Sequence, residues 1–431
     1  PRAVRSGGTA FSAMARRRKR EIFTGLEIGT ATIKVVLGEF MAGDMLAVLG
    51  VSEVPSLKVV KGEVIEVPVV HDQVLRALNE AENASGEEIQ DVFVAVTGGH
   101  IESLDNTGST LVQTADKTIR EDDVVTAVRT ARACSLSPDK EILHYIDREY
   151  VVDGNREVAN PLGMVGTRLD AYTHIVYGQH NRIQTSRQLV AEIMGEPPAE
   201  IAFSGMAAAF AAFTPDDMSK GALLIDIGAG TTEYVVFRGP GCSHSGVFTV
   251  GCNQVVNDLA LGLRLPPPRA RQILMELGEF GSAVWKPDGR SRMMEIANIG
   301  QKPRQVPVST VEQIIELRLQ ELLELIQADL QERNLLSRIG SEVVLCGGGS
   351  RIPGVLDLAR RVFDMPVRQG TPQMLGGSAD LLSSPQFVVP IGLIRLGRIF
   401  LAQDREEHGF WETVRTDARR VGRLLKDVLQ W

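Results

Sequence analysis

Two stretches of this chain carry the same short pattern, and that repetition restricts the fold more than any other feature. Residues 22–40 read Ile-Phe-Thr-Gly-Leu-Glu-Ile-Gly-Thr-Ala-Thr-Ile-Lys-Val-Val-Leu-Gly-Glu-Phe: an apolar run ending in Glu27, a turn through Gly29-Thr30, and a second apolar run from Ile33. Paired runs around a glycine turn predict a β-hairpin. Residues 222–237 repeat it as Ala-Leu-Leu-Ile-Asp-Ile-Gly-Ala-Gly-Thr-Thr-Glu-Tyr-Val-Val-Phe, and aligning Glu27 with Asp226 superposes acid, Ile, Gly and Thr 199 residues apart. A repeat at that distance predicts two similar halves facing one another.

The residue types suit a phosphate. Glycine at a turn brings backbone N–H groups close to a ligand. Successive N–H groups and Thr hydroxyls form a concave anion site. An acid just before the turn, Glu27 or Asp226, can hold a hydrated Mg2+ or orient a water. Two such hairpins opposed would clamp a polyphosphate from both sides, although one alone is more often a plain turn. A third segment, Ser341 to Gly354, runs from an apolar strand into Gly347-Gly348-Gly349 and then a helical pattern from about Val355 to Phe363. Glycines there let a ring or phosphate lie against the backbone at a helix start. No GxxxxGK[ST] loop and no GxGxxG fingerprint occurs, so P-loop and Rossmann readings fall away.

Composition narrows the class. With 431 residues and 44% hydrophobic content the chain predicts two to four modules and a large core, excluding wholesale disorder. No run of 18 apolar residues predicts a spanning helix. Cys134, Cys242, Cys252 and Cys346 lie far apart, which fits a reducing compartment rather than a disulfide framework. The net charge is −8, yet residues 1–20 hold seven basic side chains and no acid. That stretch reads as a basic disordered tail, and Met14 before the Arg16–Arg20 cluster is a candidate start. An acidic body with basic ends argues against nucleic acid as a partner and permits an anionic surface.

In this order, the two hairpins and the glycine loop resemble the actin-like ATPase superfamily, and the chain is more narrowly similar to the bacterial FtsA family of cell-division proteins. The likeness runs from about Ile22 to Trp431. It rests on Gly-Leu-Glu-Ile-Gly-Thr (25–30), Ala-Val-Thr-Gly-Gly-His-Ile (95–101), Asn-Pro-Leu-Gly-Met-Val-Gly-Thr-Arg-Leu (160–169), the segments at 223–237 and 345–354, and Pro-Ile-Gly-Leu (390–393). The resemblance implies an α/β, actin-like two-domain fold of duplicated ribonuclease-H-like halves. It implies subdomain 1A at 21–100, 179–220 and 385–401, an SHS2-like subdomain 1C at 101–178, 2A at 221–250 and 338–384, and 2B at 251–337. A linker at 402–409 and a membrane-targeting helix at 410–431 complete the expectation. The same resemblance implies ATP at Gly29, Thr30, Lys34, Asp226, Gly228, Gly230, Thr231, Thr232, Gly251, Asn253, Gly347, Gly348, Gly349 and Ser350, with Mg2+ near Glu27 or Asp226. Any turnover would be slow, and no catalytic residue stands out beyond those two acids.

Partners follow from the same resemblance. The longest helical pattern, 309–334, falls where the family receives the C-terminal tail of FtsZ, which points to Arg318, Glu321 and nearby Arg304. Other division proteins are expected at 1C, and further copies of the chain in a filament. Residues 410–431 place Phe410, Trp411, Val414, Val421, Leu424, Leu425, Val428 and Leu429 on one arc of roughly 140°, with Arg415, Arg419, Arg423 and Lys426 opposite. Such a basic amphipathic helix suits the anionic headgroups of the inner membrane's cytoplasmic face. Docking on the protein's own core is the alternative.

One departure stands out. The family usually carries Ala-Glu-x-x-Lys after the 250s, with Glu and Lys near the ribose and base; this chain has Ala270-Arg271-Gln272-Ile273-Leu274. Each lost hydrogen bond is worth roughly 1 kcal/mol, so nucleotide binding is either weakened or supported by Arg271. The rival readings are a PilM-like pilus-assembly protein, which would lack the basic C-terminal helix, and a small-molecule kinase, which would need a substrate base not evident here. His100, His144 and His174 read as structural, and Cys242, His244 and Cys252 match no common zinc spacing.

Overall fold

The computed structural model describes residues 21–41, 45–239, 241–279, 293–297, 302–340, 342–373, 375–376 and 383–412. The expected N-terminal tail at 1–20 lies outside them. In the first half, β1 (Phe23–Ile28), β2 (Thr32–Phe40), β3 (Leu46–Pro55), β4 (Val59–Val60) and β5 (Glu63–Val64) lead into α1 (Val67–Ser85) and β6 (Val92–Val96). The inserted module follows as β7 (Glu102–Leu111), α2 (Glu121–Arg132), β8 (Lys140–Val152), β9 (Arg156–Val158) and β10 (Arg168–Gln179). Then come α3 (His180–Met194), β11 (Glu200–Phe203), α4 (Ser204–Ala212) and α5 (Pro215–Lys220). The second half contains β12 (Ala222–Ile227), β13 (Thr232–Arg238), β14 (Gly241–Phe248), α6 (Cys252–Gly262), α7 (Pro267–Glu279), β15 (Met293–Ile296), β16 (Arg304–Pro307) and α8 (Val308–Glu332). β17 (Val343–Cys346), α9 (Val355–Phe363), β18 (Val367–Gln369), β19 (Leu375–Gly376) and α10 (Val388–Glu412) close the chain.

The repeat read from the hairpins extends to whole sheets. The first runs β11-β6-β1-β2-β3-β19 and the second β18-β17-β12-β13-β14. In both, the first hairpin strand pairs antiparallel with the second and the second antiparallel with the strand after it, while on the other side one strand pairs parallel with the first and the outermost pairs parallel with that one. Strands covered on both faces read as unbroken apolar runs rather than alternating ones, and every residue of β12 is buried. Between the sheets lies α4, apolar on all sides and buried along nearly its whole length, as a helix without a polar face must be. It crosses α10 so closely that a Cβ on Gly392 would stand 1.7 Å from the Ala207 carbonyl oxygen.

Two expectations change. Residues 375–376, assigned from sequence to the second half, pair as β19 with β3 of the first, Leu375 opposite Leu46. The expected 402–409 linker is helical, continuing α10 to Glu412. The run Leu401-Ala402-Gln403-Asp404-Arg405-Glu406-Glu407 consists mostly of good helix formers without proline, and Gly409 costs only about 1 kcal/mol inside a helix.

The insert folds as an antiparallel sheet, β7-β10-β8-β9, with α2 packed across β7 and β10 around Val112, Ile119, Ala127, Val152 and Leu169. It is held to both halves. Toward the first, His144 Nε2 on β8 accepts the Phe203 N–H at 2.9 Å. Toward the second, Ser103 Oγ donates to the Ser245 carbonyl at 2.8 Å, and His174 bridges Asp105 (Nδ1, 2.7 Å) and the Ser245 hydroxyl (Nε2, 2.9 Å). His100 Nδ1 accepts the Gln179 N–H at 3.3 Å. All three histidines thus hold structure together, as read from sequence.

Burial pushes the His144 pKa down from 6.5 to about 4. A histidine kept neutral by the fold contributes stability that is complete above its unfolded pKa and is lost as pH falls from 6.5 toward 4, at up to about 1.4 kcal/mol per pH unit. Urea unfolding midpoints should therefore fall between pH 7.5 and pH 4.5, and less steeply in a His144→Gln variant, whose amide oxygen can still accept the Phe203 N–H. Equal slopes would assign the pH dependence to other groups.

Candidate functional site

The two hairpin turns face each other across a cleft of about 380 Å3, inside the range of ligand pockets, roughly 300–1,000 Å3. Each turn closes with the same bond: Gly29 N–H donates to the Thr32 carbonyl at 3.1 Å, and Gly228 N–H to the Thr231 carbonyl at 2.9 Å. Their tips touch, since a Cβ on Gly230 would meet Thr30 Oγ1 at 2.6 Å and Lys61 Cα at 3.0 Å. Thr30 Oγ1 accepts the Gly62 N–H at 3.0 Å, tying the first turn to the β4–β5 hairpin. Behind the second turn, the first amides of α6 are already used: Cys252 N–H donates to the Gly228 carbonyl at 3.0 Å and Asn253 N–H to Ala229 at 2.8 Å. That helix start fixes the turn rather than facing the cleft.

The floor is acidic. Strand register sets Glu27 opposite Lys34 and, at the repeated position, Asp226 opposite Glu233. Lys34 Nζ donates to Glu27 at 3.0 Å. Asp226 faces an acid instead, and burial, then the Glu233 charge, then Glu27 hold its pKa well above the usual carboxylate range. Burial likewise raises Glu233, which accepts a hydrogen bond from Thr97 Oγ1 of the first half. Beside them Gly347 has φ +74°, and a Cβ there would stand 2.1 Å from Asp226 Oδ1. Only glycine combines that left-handed backbone with such an approach.

Glu27, Gly29, Thr30, Lys34, Asp226, Gly228, Gly230, Thr231, Gly347, Gly348 and Gly349 line the cleft. Four other residues expected at the ligand stand one layer behind. Thr232 Oγ1 donates to the Val250 carbonyl at 2.8 Å, and Ser350 Oγ to that of Gly347 at 2.8 Å. Gly251 packs on the Gly228–Ala229 turn, and Asn253 Oδ1 accepts from Arg271 at 2.8 Å. Glu233, Thr97, Glu53, Gly62, Val256, Met275 and Arg351 line the cleft without having been singled out from sequence. Glu233 was within reach, since it lies seven residues after Asp226 as Lys34 lies seven after Glu27. Among the described residues, no three His, Cys, Asp or Glu side chains assemble a metal site. Cys242 is buried, its Sγ donating to the His244 carbonyl at 3.1 Å.

The partner candidates lie apart from the cleft, and the two arginines bind α6 or its end. Arg318 on α8 holds Asp258 through Nε at 2.6 Å and Nη2 at 3.3 Å and also pairs with Glu321, while Arg304 on β16 donates to the Leu263 carbonyl. The Asp258 contact holds the Arg318 pKa above its ordinary value. The exposed Leu261 and Leu317 are apolar members of the same two helices. Residues 413–431, and the side chains of 410–412, are outside the described residues, so the apolar arc named from sequence is too. No described helix is long and apolar enough to cross a membrane.

Duplicated sheets closing on a hairpin-lined cleft define an actin-like protein. Among solved structures of this fold, the chain is similar to the PilM-PilN type IV pilus biogenesis complex, with TM-score 0.62 and 16% identity over 88% of this chain and 99% of that one. It is also similar to MreB 5 of Spiroplasma citri bound to AMPPNP, with TM-score 0.54 and 14% identity over 91% and 100%. Sequence separates what the fold leaves together. Residues 98–177 match the profile of the SHS2 domain inserted in FTSA, and residues 223–392 that of cell division protein FtsA. Cell division protein FtsA of Pseudomonas aeruginosa is 31% identical over 385 residues, 89% of this chain and 91% of that protein. The protein of that name from Escherichia coli K12 is 29% identical over 427 residues, 97% and 99%. The chain belongs to the FtsA family of cell-division proteins.

Proposed function

We propose that the chain is an ATP-binding, self-assembling protein of the division ring that ties FtsZ filaments to the cytoplasmic face of the membrane. The observation that carries the nucleotide part is the pair of identically bonded hairpins facing each other at 29–32 and 228–231. The narrow glycine turns and the Thr30 hydroxyl suit a triphosphate, and a neighbour of the same fold carries AMPPNP. Mg2+ fits the floor, because Asp226 and Glu233 are buried acids that destabilise one another and a cation would relieve both. With no complete protein cage at hand, the ion would rest on these carboxylates, phosphate oxygens and water, where it would screen phosphate charge. Lys34 would orient Glu27, and Thr97 would hold Glu233 in place from across the cleft.

The FtsZ tail, an acidic peptide in this reading, would engage Arg318 and Arg304. Because Asp258 and Glu321 already hold Arg318, the tail would have to exchange for those carboxylates, favouring weak and reversible binding. Residues 410–431 would supply membrane affinity, modest for one helix and multiplied by avidity in a filament. Co-sedimentation with anionic vesicles tests the tether. The full chain should pellet and carry FtsZ with it under Mg-ATP, and a chain ending at Gly409 should leave both in the supernatant. Equal pelleting of the two chains would overturn the assignment of the terminal segment.

A further inference from the structure

The proposed tether uses residues 410–431 and leaves the basic run Arg16-Arg17-Arg18-Lys19-Arg20 without a role. The fold decides where that run is delivered. β1 ends at the cleft, which Ile28 and Gly29 line, whereas α10 starts beside the cleft, at Val389, and runs the other way. The two lie in contact, since a Cβ on Gly25 would stand 2.0 Å from the Pro390 carbonyl oxygen. At the pole away from the cleft, the Phe23 ring packs edge-on against Phe40 at 5.4 Å and stacks on Phe93 at 6.1 Å. α10 joins that cluster. A Cβ on Gly397 would stand 2.5 Å from the Phe93 ring, and the Arg398 guanidinium lies over the Phe40 ring at 4.4 Å. Next to Phe40 are the exposed Met41 and Met45, the Met41 N–H donating to the Met45 carbonyl at 2.8 Å. The first strand and the last helix therefore meet at one pole.

Their reach beyond it also matches. α10 continues from Arg398 to Glu412, about 21 Å at 1.5 Å per residue. From Ile22 back to Arg16 the chain spans at most roughly 21 Å. A surface met by the segment after Glu412 is thus within range of the basic run. Each Lys or Arg brought close to an anionic leaflet strengthens binding about fivefold, until salt screens it. Two linked contacts reinforce each other only where the linker spans the gap between their sites. Resting on the membrane reading of residues 410–431, we propose that Arg16–Arg20 form a second contact with the same anionic lipid surface, so that the pole carrying Phe23, Phe40 and Arg398 faces the membrane and the cleft faces away.

Co-sedimentation with vesicles of phosphatidylglycerol and phosphatidylcholine tests it. The full chain is compared with a variant carrying Arg16→Gln, Arg17→Gln, Arg18→Gln, Lys19→Gln and Arg20→Gln, and with the chain ending at Gly409; melting curves check that each folds. At low salt the glutamine variant should bind at least tenfold more weakly than the full chain. At about 0.5 M NaCl, where the Debye length falls to roughly 4 Å, that gap should close. A loss below tenfold at low salt, or a gap that salt leaves unchanged, overturns the inference. Vesicle binding undiminished while less FtsZ is carried would assign the run to an acidic peptide, and overturns it as well. In each of these results the tether reading stands if the chain ending at Gly409 stays in the supernatant. Failure of the full chain to pellet overturns both.

Discussion

Gly230→Val is expected to reduce Mg-ATP affinity at least a hundredfold, about 2.8 kcal/mol, without unfolding the protein. A β-carbon at this position meets Thr30 Oγ1 at 2.6 Å and Lys61 Cα at 3.0 Å, so the branched side chain must separate the two turns where they touch. The strands below keep their register, because the clash lies at the tips and not in the sheets. Calorimetric titration reads the affinity, and far-ultraviolet circular dichroism together with the urea midpoint reads the fold. Unchanged affinity in a folded variant would mean that the apposed turns are not the phosphate clamp.

The second large effect concerns the core. Gly392→Ala adds one methyl group, yet its carbon would lie 1.7 Å from the Ala207 carbonyl oxygen and 2.4 Å from the carbonyl carbon. No side chain can rotate away, since the obstacle is the backbone of α4, a helix buried on all sides. The helices must separate, and overpacking of this kind costs typically 1–3 kcal/mol and occasionally more; a loss of about 3 kcal/mol is expected at a contact this close. Urea denaturation followed by intrinsic fluorescence checks it, and a midpoint within error of the unsubstituted chain would show that α4 and α10 shift freely.

These two sites mark how far sequence reached. The hairpins were legible because their determinants are local: a glycine turn between apolar runs, repeated with the same acid in front. The helix at 355–363 was read to its observed ends, and the start of α8 to within a residue, since apolar period and flanking Pro and Gly fix such boundaries. What escaped is set by distant neighbours. Nothing local to Arg318 says that Asp258, 60 residues earlier, already holds it. Thr232 and Ser350 look like ligand hydroxyls in a string of glycines, but the fold turns each toward a backbone carbonyl. The short strand at 375–376 is defined wholly by its partner, β3. The helix through 402–409 shows the opposite error, where polar residues ending in glycine suggested a linker although their propensities favour helix.

The inserted module deserves a mechanical reading. It is spliced into the first half, between β6 and α3, yet Ser103 and His174 grip Ser245 on the edge strand of the second. It therefore ties the two halves together like a stay, and rotating them apart breaks those bonds or drags the module along. Any ligand that steadies the module in its docked seat favours the arrangement of the halves to which it is bonded, and any ligand that favours that arrangement favours the seat. The two effects must be equal in free energy. A protein gripping the module would thus be felt as tighter retention in the cleft, with no contact to whatever lies there.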